Sequence, residues 1–336
     1  MTEIIIFVLG ISILLYVLLG GADFGAGIVE IVTGKKSIDV ISKAIAPVWE
    51  ANHVWLILAV VILFNGFPHV YTTLSIYLHI PLLLILVGII FRGTAFTFRY
   101  YDAKDDTHHY FTALFRISSL IPPLFFGVII GAITLGKIPG NVNGTFFEVF
   151  VSPWFNFFTL STGIFLTTLF GWLASVYLIG EANNEETHKI FTKTSLLFFV
   201  FLVLSGLVVF LVGELYDVHL FKRFANSAVS IGCVLLATLI IPIVLKNIKR
   251  RNSFHTRLWT GVQTTCIITG WIAVQFPVFI VISNGSNLTI WNSQAPERTM
   301  TLLVYALLVG AFLIFPAFAY LFKVYKFENK ENMTNT

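Results

Sequence analysis

Charge is what this sequence has least of. Asp, Glu, Lys and Arg supply 11% of its 336 residues, against roughly a quarter in an ordinary soluble domain. With 57% of the residues hydrophobic, there is too little charge to cover a water-facing surface, and a soluble fold is excluded. Cysteine is nearly absent as well. Cys233 and Cys266 each lie inside an apolar run, which excludes a disulfide framework and any finger-type metal spacing and leaves both as packing residues. The first apolar stretch, Ile4 to Leu19, has no basic segment before it and no small-residue cleavage pattern after it, so it reads as a retained helix and not as a signal peptide. No basic patch with interleaved aromatics stands out, which excludes a nucleic-acid partner. There is also no polar stretch long enough to fold alone and no repeat between the halves, so residues 1–336 read as a single membrane domain.

What is abundant is apolar length. A helix needs about 20 apolar residues to cross a bilayer, and such runs recur with short polar gaps between them. The run Leu196 to Val212 shows none of the alternation of a membrane barrel strand. The fold class is therefore an all-α polytopic membrane protein. Nine spans are predicted, at 4–29, 46–65, 72–95, 113–135, 155–180, 195–214, 228–246, 258–282 and 300–324, arranged as two four-helix bundles plus one extra helix. With nine spans, all Lys and Arg except Lys137, Lys222, Arg223 and Arg298 fall on one side. The positive-inside rule then places the amino terminus outside and the carboxyl terminus in the cytoplasm. The loops Tyr100 to Tyr110 and Gly180 to Lys193 face the cytoplasm, and Trp154, Trp259 and Trp291 read as interfacial anchors.

An ionisable residue within a spanning helix is costly and by default faces a cavity, a partner or a functional path. Asp23 stands in Gly20-Gly21-Ala22-Asp23-Phe24-Gly25-Ala26-Gly27, where glycines allow close backbone approach and the carboxylate can accept from a neighbouring helix or water. The plain reading is a helix-packing motif with a hydrogen-bonded Asp. The second site, Pro47-Val48-Trp49-Glu50-Ala51-Asn52-His53-Val54-Trp55-Leu56, opens the second span. On a continuous helix Glu50 and His53 share one face, and a buried Glu50 exchanging protons with His53 stands against a capped, structural polar cluster. The only other Glu-x-x-His, Glu185 to His188, lies in a polar loop and not on the facing helix that a di-iron site requires, so no metal is expected. Mid-span His79 reads as a hydrogen-bonded structural residue. Arg92 and Arg99 read as snorkelling to the cytoplasmic interface or pairing with a carboxylate such as Glu50, and Glu30 and Glu214 as water-accessible span ends. Pro122-Pro123 is expected to bend or break the fourth span.

These residues resemble a known family. The run from Pro47 to Leu56 is similar to the pattern of Pro, Trp, an acid, Asn and Val-Trp-Leu on the second helix of cytochrome bd-type quinol oxidase subunit II. Asp23-Phe24-Gly25-Ala26-Gly27 resembles the Asp-x-Gly-x-Gly that closes helix one, and Phe91-Arg92, Phe98-Arg99 and Pro122-Pro123 follow in matching order. Two departures stand out: Leu19 occupies the place where some relatives carry a second Asp, and Glu50 replaces an Asp.

The resemblance implies a non-haem-binding subunit of a terminal oxidase that oxidises quinol and reduces dioxygen to water in the bacterial cytoplasmic membrane. A partner subunit I would carry haems b and d, so this chain alone would bind no cofactor, and a quinone or lipid between helices and a small accessory subunit are compatible additions. Asp23, Glu50 and His53 become candidates for a proton pathway, Trp55 for an oxygen pathway, and Asn52, Arg92 and Arg99 for structural polar roles. Two other readings remain: a proton- or cation-coupled transporter and a pure assembly scaffold.

Overall fold

A computed structural model describes residues 1–47, 49–101 and 108–334. Val48 of the second-span motif and most of the expected Tyr100 to Tyr110 loop, with Lys104, lie outside the described residues. The first span begins as α1 (Thr2–Leu15), continues through one π-helical turn at Tyr16–Gly20 and ends as α2 (Gly21–Thr33). Gly34, at φ 68°, turns the chain away, as suits a residue without a Cβ. Short helices α3 (Ile38–Ile45) and α4 (Trp49–Asn52) lead into α5 (Val54–Gly66), α6 (Pro68–Tyr77), α7 (His79–Tyr101) and α8 (His108–Leu135).

After the short α9 (Phe146–Phe150) come α10 (Phe157–Ile179), α11 (Glu185–Leu215), α12 (Leu220–Ala225), α13 (Ala228–Lys249) and α14 (Ser253–Gln275). Asn156 and Asn184 start α10 and α11 as capping boxes closed by Thr159 and Thr187, each satisfying backbone donors that a helix start leaves open. A two-stranded antiparallel hairpin, β1 (Val278–Ile280) with β2 (Leu288–Thr289), precedes the last helix, α15 (Glu297–Thr334). The sequence reading did not foresee this hairpin.

Among the described residues, eight helices are long and apolar enough to cross a membrane. The ninth expected span, 258–282, corresponds to α14, which has the length but carries Thr256, Thr260, Gln263 and Thr264, all buried, and so falls short in apolarity. It ends seven residues early, at Gln275, because Phe276 is extended ahead of Pro277. α13 and α14 pack as an antiparallel pair, α10 packs on α8, α11 and α2, and α15 lies against α1 and α5. The buried core divides by depth. One large cluster joins Phe24, Ile41, Phe96, Phe115, Phe170, Phe198 and Val244, a second joins Ile5, Ile62, Phe67, Val128, Ile138, Ile280 and Met300, and a small third joins Phe158, Val209, Val218 and Leu220.

Glycines set the tightest contacts. A Cβ on Gly25 would lie 2.0 Å from the Phe170 carbonyl oxygen, and one on Gly27 would lie 2.1 Å from Ser119 Oγ. The glycine run therefore seats α2 directly against α10 and α8. Pro122 and Pro123 do not break the fourth span, because α8 runs through them, and Gly88 of α7 leaves the space that the Pro122 ring fills. Trp154 is not an exposed anchor: it is 8% exposed, with Nε1 donating to the Phe150 carbonyl at 2.6 Å. Trp259 is partly buried against the core, and Trp291 is exposed.

Candidate functional site

The glycine run brings a carboxylate into the protein interior. Asp23 and Arg92 are both almost completely buried, and Arg92 Nη2 donates to Asp23 Oδ1 at 2.6 Å and to the Asp23 carbonyl at 3.0 Å. The guanidinium lies over the Phe24 and Phe115 rings at 5.0 and 5.2 Å, so its uncommitted faces meet π-electron density and not hydrocarbon. Seven residues further along both helices the arrangement repeats. Arg99 Nη1 donates to both oxygens of Glu30 at 2.8 and 2.9 Å, and Arg99 Nη2 donates to Ser42 Oγ at 3.0 Å. Arg116 Nε reaches the same carboxylate at 3.1 Å.

These pairs overturn three expectations. Arg92 and Arg99 do not snorkel, since they are 1% and 4% exposed. Their partners are Asp23 and Glu30, not Glu50. Glu30 is fully buried, not water-accessible. A charge this deep is tolerated where it is paired and hydrogen-bonded, and Glu30 meets two guanidiniums.

Around Asp23 the polar network is open on one side. Asp23 Oδ2, Tyr16 Oη and His53 Nδ1 are buried and have no hydrogen-bond partner among the described residues. The Tyr16 and His53 rings are 6.1 Å apart, His53 and Phe24 are 5.9 Å apart, and Tyr16 and Phe24 are 6.4 Å apart. Tyr16 opens the π-helical turn, an irregularity that often marks functional sites. Asn52 Nδ2 donates to the Leu19 carbonyl at 3.4 Å and ties α4 to this turn.

The second-span motif is less unified than its spacing implied. α4 ends at Asn52 and α5 begins at Val54, with His53 at the junction, so Glu50 and His53 do not share one continuous helical face. His53 points inward to Tyr16, whereas Glu50 is exposed on this chain, contrary to its expected burial. Trp49 packs on Phe96 at 5.7 Å and against Gly93, and Trp55 is half-buried against the inner core. His79 is exposed, with Nδ1 2.8 Å from the Ile76 carbonyl. Among the described residues, no group of three or more His, Cys, Asp and Glu converges in a way that could hold a metal ion.

Sequence reasoning missed Tyr16, Glu30 and Arg116 as members of this site. A signal was present: Asp23 and Glu30 stand seven residues apart, as do Arg92 and Arg99, so two acids and two arginines share one helical spacing.

The sequence model of the cytochrome bd terminal oxidase subunit II family matches residues 1–325. The chain belongs to that family. As such it is a subunit of a cytochrome bd-type oxidase complex, an oxidoreductase of the respiratory chain, and a multi-pass membrane protein. Its similarity to individual members is low but spans their length. It is 24% identical to cytochrome bd ubiquinol oxidase subunit 2 of Bacillus subtilis over 86% of this chain and 85% of that one. It is 22% identical to cytochrome bd-I ubiquinol oxidase subunit 2 of Escherichia coli K12, over 93% and 91%. A chain of the bd oxidase from Geobacillus thermodenitrificans superposes with a TM-score of 0.76, at 19% identity, over 96% of this chain and 98% of that one. Two bd oxidase chains of such different sequence thus share one fold.

Proposed function

We propose that this chain is the non-haem subunit of a quinol-oxidising bd oxidase of the bacterial cytoplasmic membrane, that it stabilises a haem-bearing partner, and that it carries protons through Asp23. Reduction of dioxygen to water consumes protons, and a dry helical bundle needs carboxylates and water to deliver them. The observation that carries this reading is the half-satisfied state of Asp23. Arg92 holds Oδ1, while Oδ2, like Tyr16 Oη and His53 Nδ1, has no partner among the described residues. Buried polar atoms are normally hydrogen-bonded, so the open Oδ2 is the place where water or a proton can be accepted. In this reading Asp23, Tyr16 and His53 form a short chain of polar groups that passes protons without moving the backbone.

Glu50 enters this reading from the outer surface of the chain. An exposed carboxylate on a spanning helix is costly against lipid, which supports the partner subunit covering this face, with Glu50 as the acid nearest to it. Trp55, two residues before the exposed Ile57, borders the apolar side on which we place dioxygen access. Haems b and d belong to the partner in this scheme, and this chain binds neither.

The test is oxygen uptake by the purified complex. Asp23→Asn is expected to slow quinol-dependent uptake, expressed per assembled haem, by roughly tenfold or more, as loss of one proton-transfer group does. Normal uptake over a range of pH, in complexes of normal haem content, would leave the scaffold reading in its place. That second reading draws on the buried Asp23–Arg92 pair, which by itself fixes helix packing.

A further inference from the structure

Where α2, α7 and α8 pack together, three guanidiniums meet two carboxylates. Asp23 pairs with Arg92, and Glu30 pairs with both Arg99 and Arg116, so among the described residues this cluster holds one positive charge more than it matches. The surplus falls on Arg116. Its Nε donates to Glu30, but its Nη2 is buried and has no partner among the described residues. One turn earlier on the same face of α8, the buried Thr112 Oγ1 is in the same state. Its helix-mates behave otherwise, since Ser118, Ser119 and Thr134 each donate to the carbonyl four residues back. Two donors one turn apart thus call for an acceptor.

We infer that Arg116 and Thr112 form a site for a phosphate-type oxyanion, and that its occupant is the headgroup phosphate of an anionic lipid in the cytoplasmic leaflet. The inference does not rest on Asp23 carrying protons. Three observations carry it. First, an anion neutralises the surplus charge of the cluster and supplies the acceptor that Arg116 Nη2 and Thr112 Oγ1 lack. A guanidinium suits that role, because its donors form a fixed fork that matches phosphate, and Glu30 already orients this one through Nε. Second, Arg116 is reachable: its side chain is 25% exposed. It stands about two turns inside α8, which begins at His108, at the end that the positive-inside rule assigns to the cytoplasm. Basic pockets between spanning helices on that side suit anionic headgroups. Third, the exposed stripe of Tyr110, Ala113 and Ile117 runs along α8 beside the arginine. Acyl chains would lie on that stripe, whereas a free phosphate would leave it unused.

The test uses the complete oxidase, delipidated in detergent and titrated with short-chain phosphatidylglycerol, with haem release on heating as the readout. Phosphatidylglycerol is expected to raise the thermal midpoint of the parent. In Arg116→Gln the concentration giving half the effect should rise roughly tenfold, as loss of one hydrogen bond to a charged group requires. Thr112→Val keeps every charge and should raise it roughly threefold, the smaller effect of a neutral donor. This second variant keeps the test readable if Arg116→Gln fails to assemble because Glu30 loses a partner. Inorganic phosphate and zwitterionic phosphatidylcholine are titrated in parallel. A shift by inorganic phosphate alone that weakens in both variants supports the oxyanion site and gives it to a free anion. Phosphatidylcholine acting as strongly as phosphatidylglycerol overturns the anionic-lipid assignment. Titrations that are the same in the parent and both variants overturn the site. So does the absence of any shift, which would leave a carboxylate of the partner subunit or of residues 102–107 as the counter-charge.

Discussion

At the level of single residues, the chain concentrates its electrostatic risk in two places. Asp23 and Arg92 have almost no exposure, and removing one member of such a pair leaves the other charged and desolvated, typically at about 3–5 kcal/mol. Arg92→Gln is therefore expected to lower the thermal midpoint of the purified complex steeply. Asp23→Asn added to Arg92→Gln should recover part of that loss, because neither charge is then stranded. If the double variant is no more stable than Arg92→Gln alone, measured by haem release on heating, the pair is not the source of the effect. The contrast with Glu50 is instructive. Its acid was readable from the motif, but its exposure was not, because the chain turns at His53 and a spacing rule assumes that the helix continues. The partners of the arginines were equally hidden, since each ion pair joins residues 69 positions apart and hydropathy reports only on neighbours in sequence.

At the level of elements, packing rests on glycine in some helices and on charged loops in others. Gly25→Ala would place a methyl group against the Phe170 backbone, which cannot yield as a flexible side chain can. A cost of about 1–3 kcal/mol is expected from such overpacking, read as a lowered thermal midpoint. Gly10→Ala, with nothing within 4 Å of the added carbon, should be close to neutral, and equal effects at both sites would refute this account of the glycine run. The exposed links between loops behave differently. Arg251 holds the Glu185 carboxyl below the usual carboxylate range, and Lys36 does the same to Glu186, each mainly through a hydrogen bond.

A carboxyl with a depressed folded-state pKa contributes stability above its unfolded value and loses it as the pH falls through the folded value. The loop contacts should thus be intact at neutral pH and weaken below about pH 4.5, near the ordinary glutamate pKa. Being surface pairs, they should contribute little and should fade in high salt. A Glu186→Gln variant would remove part of the acid-induced fall in thermal midpoint, and a midpoint whose acid response matches that of the parent would argue against the Lys36 link. The span pattern of the elements was legible because a bilayer imposes length and apolarity on each helix separately. The hairpin of β1 and β2 was not legible, since it is short, and its outer partner, the Ile138–Ile282 bridge, again joins distant residues.

At the level of the whole molecule, charge organises what apolarity cannot. The loops at Gly34–Ser37, Glu181–Glu186 and Arg250–Arg251 are joined by the Lys36–Glu186 and Arg251–Glu185 pairs, so they lie at one end of the bundle. The segments near Thr2, Gly66 and Gln294 meet at the other, through Thr2 donating to Gln294 and Ala295 donating to Gly66. With the basic loops in the cytoplasm, a reporter that is active only in the cytoplasm should work when fused after Thr336 and fail when fused before Met1, and the reverse pattern would invert the orientation.

The repeated acid–arginine spacing also constrains how α2 and α7 find each other during assembly. A rise of about 1.5 Å per residue puts the two ion pairs about 10.5 Å apart along the helices. Sliding α7 by a single turn would unpair both at once, leaving Glu30 with Arg116 alone and stranding Asp23, Arg92 and Arg99. A slide of seven residues would restore one pair, Asp23 with Arg99 or Glu30 with Arg92, and leave the outermost acid and arginine alone. The sequence therefore encodes a single register in which all charges on these two helices are matched, with the nearest half-matched alternative two turns away.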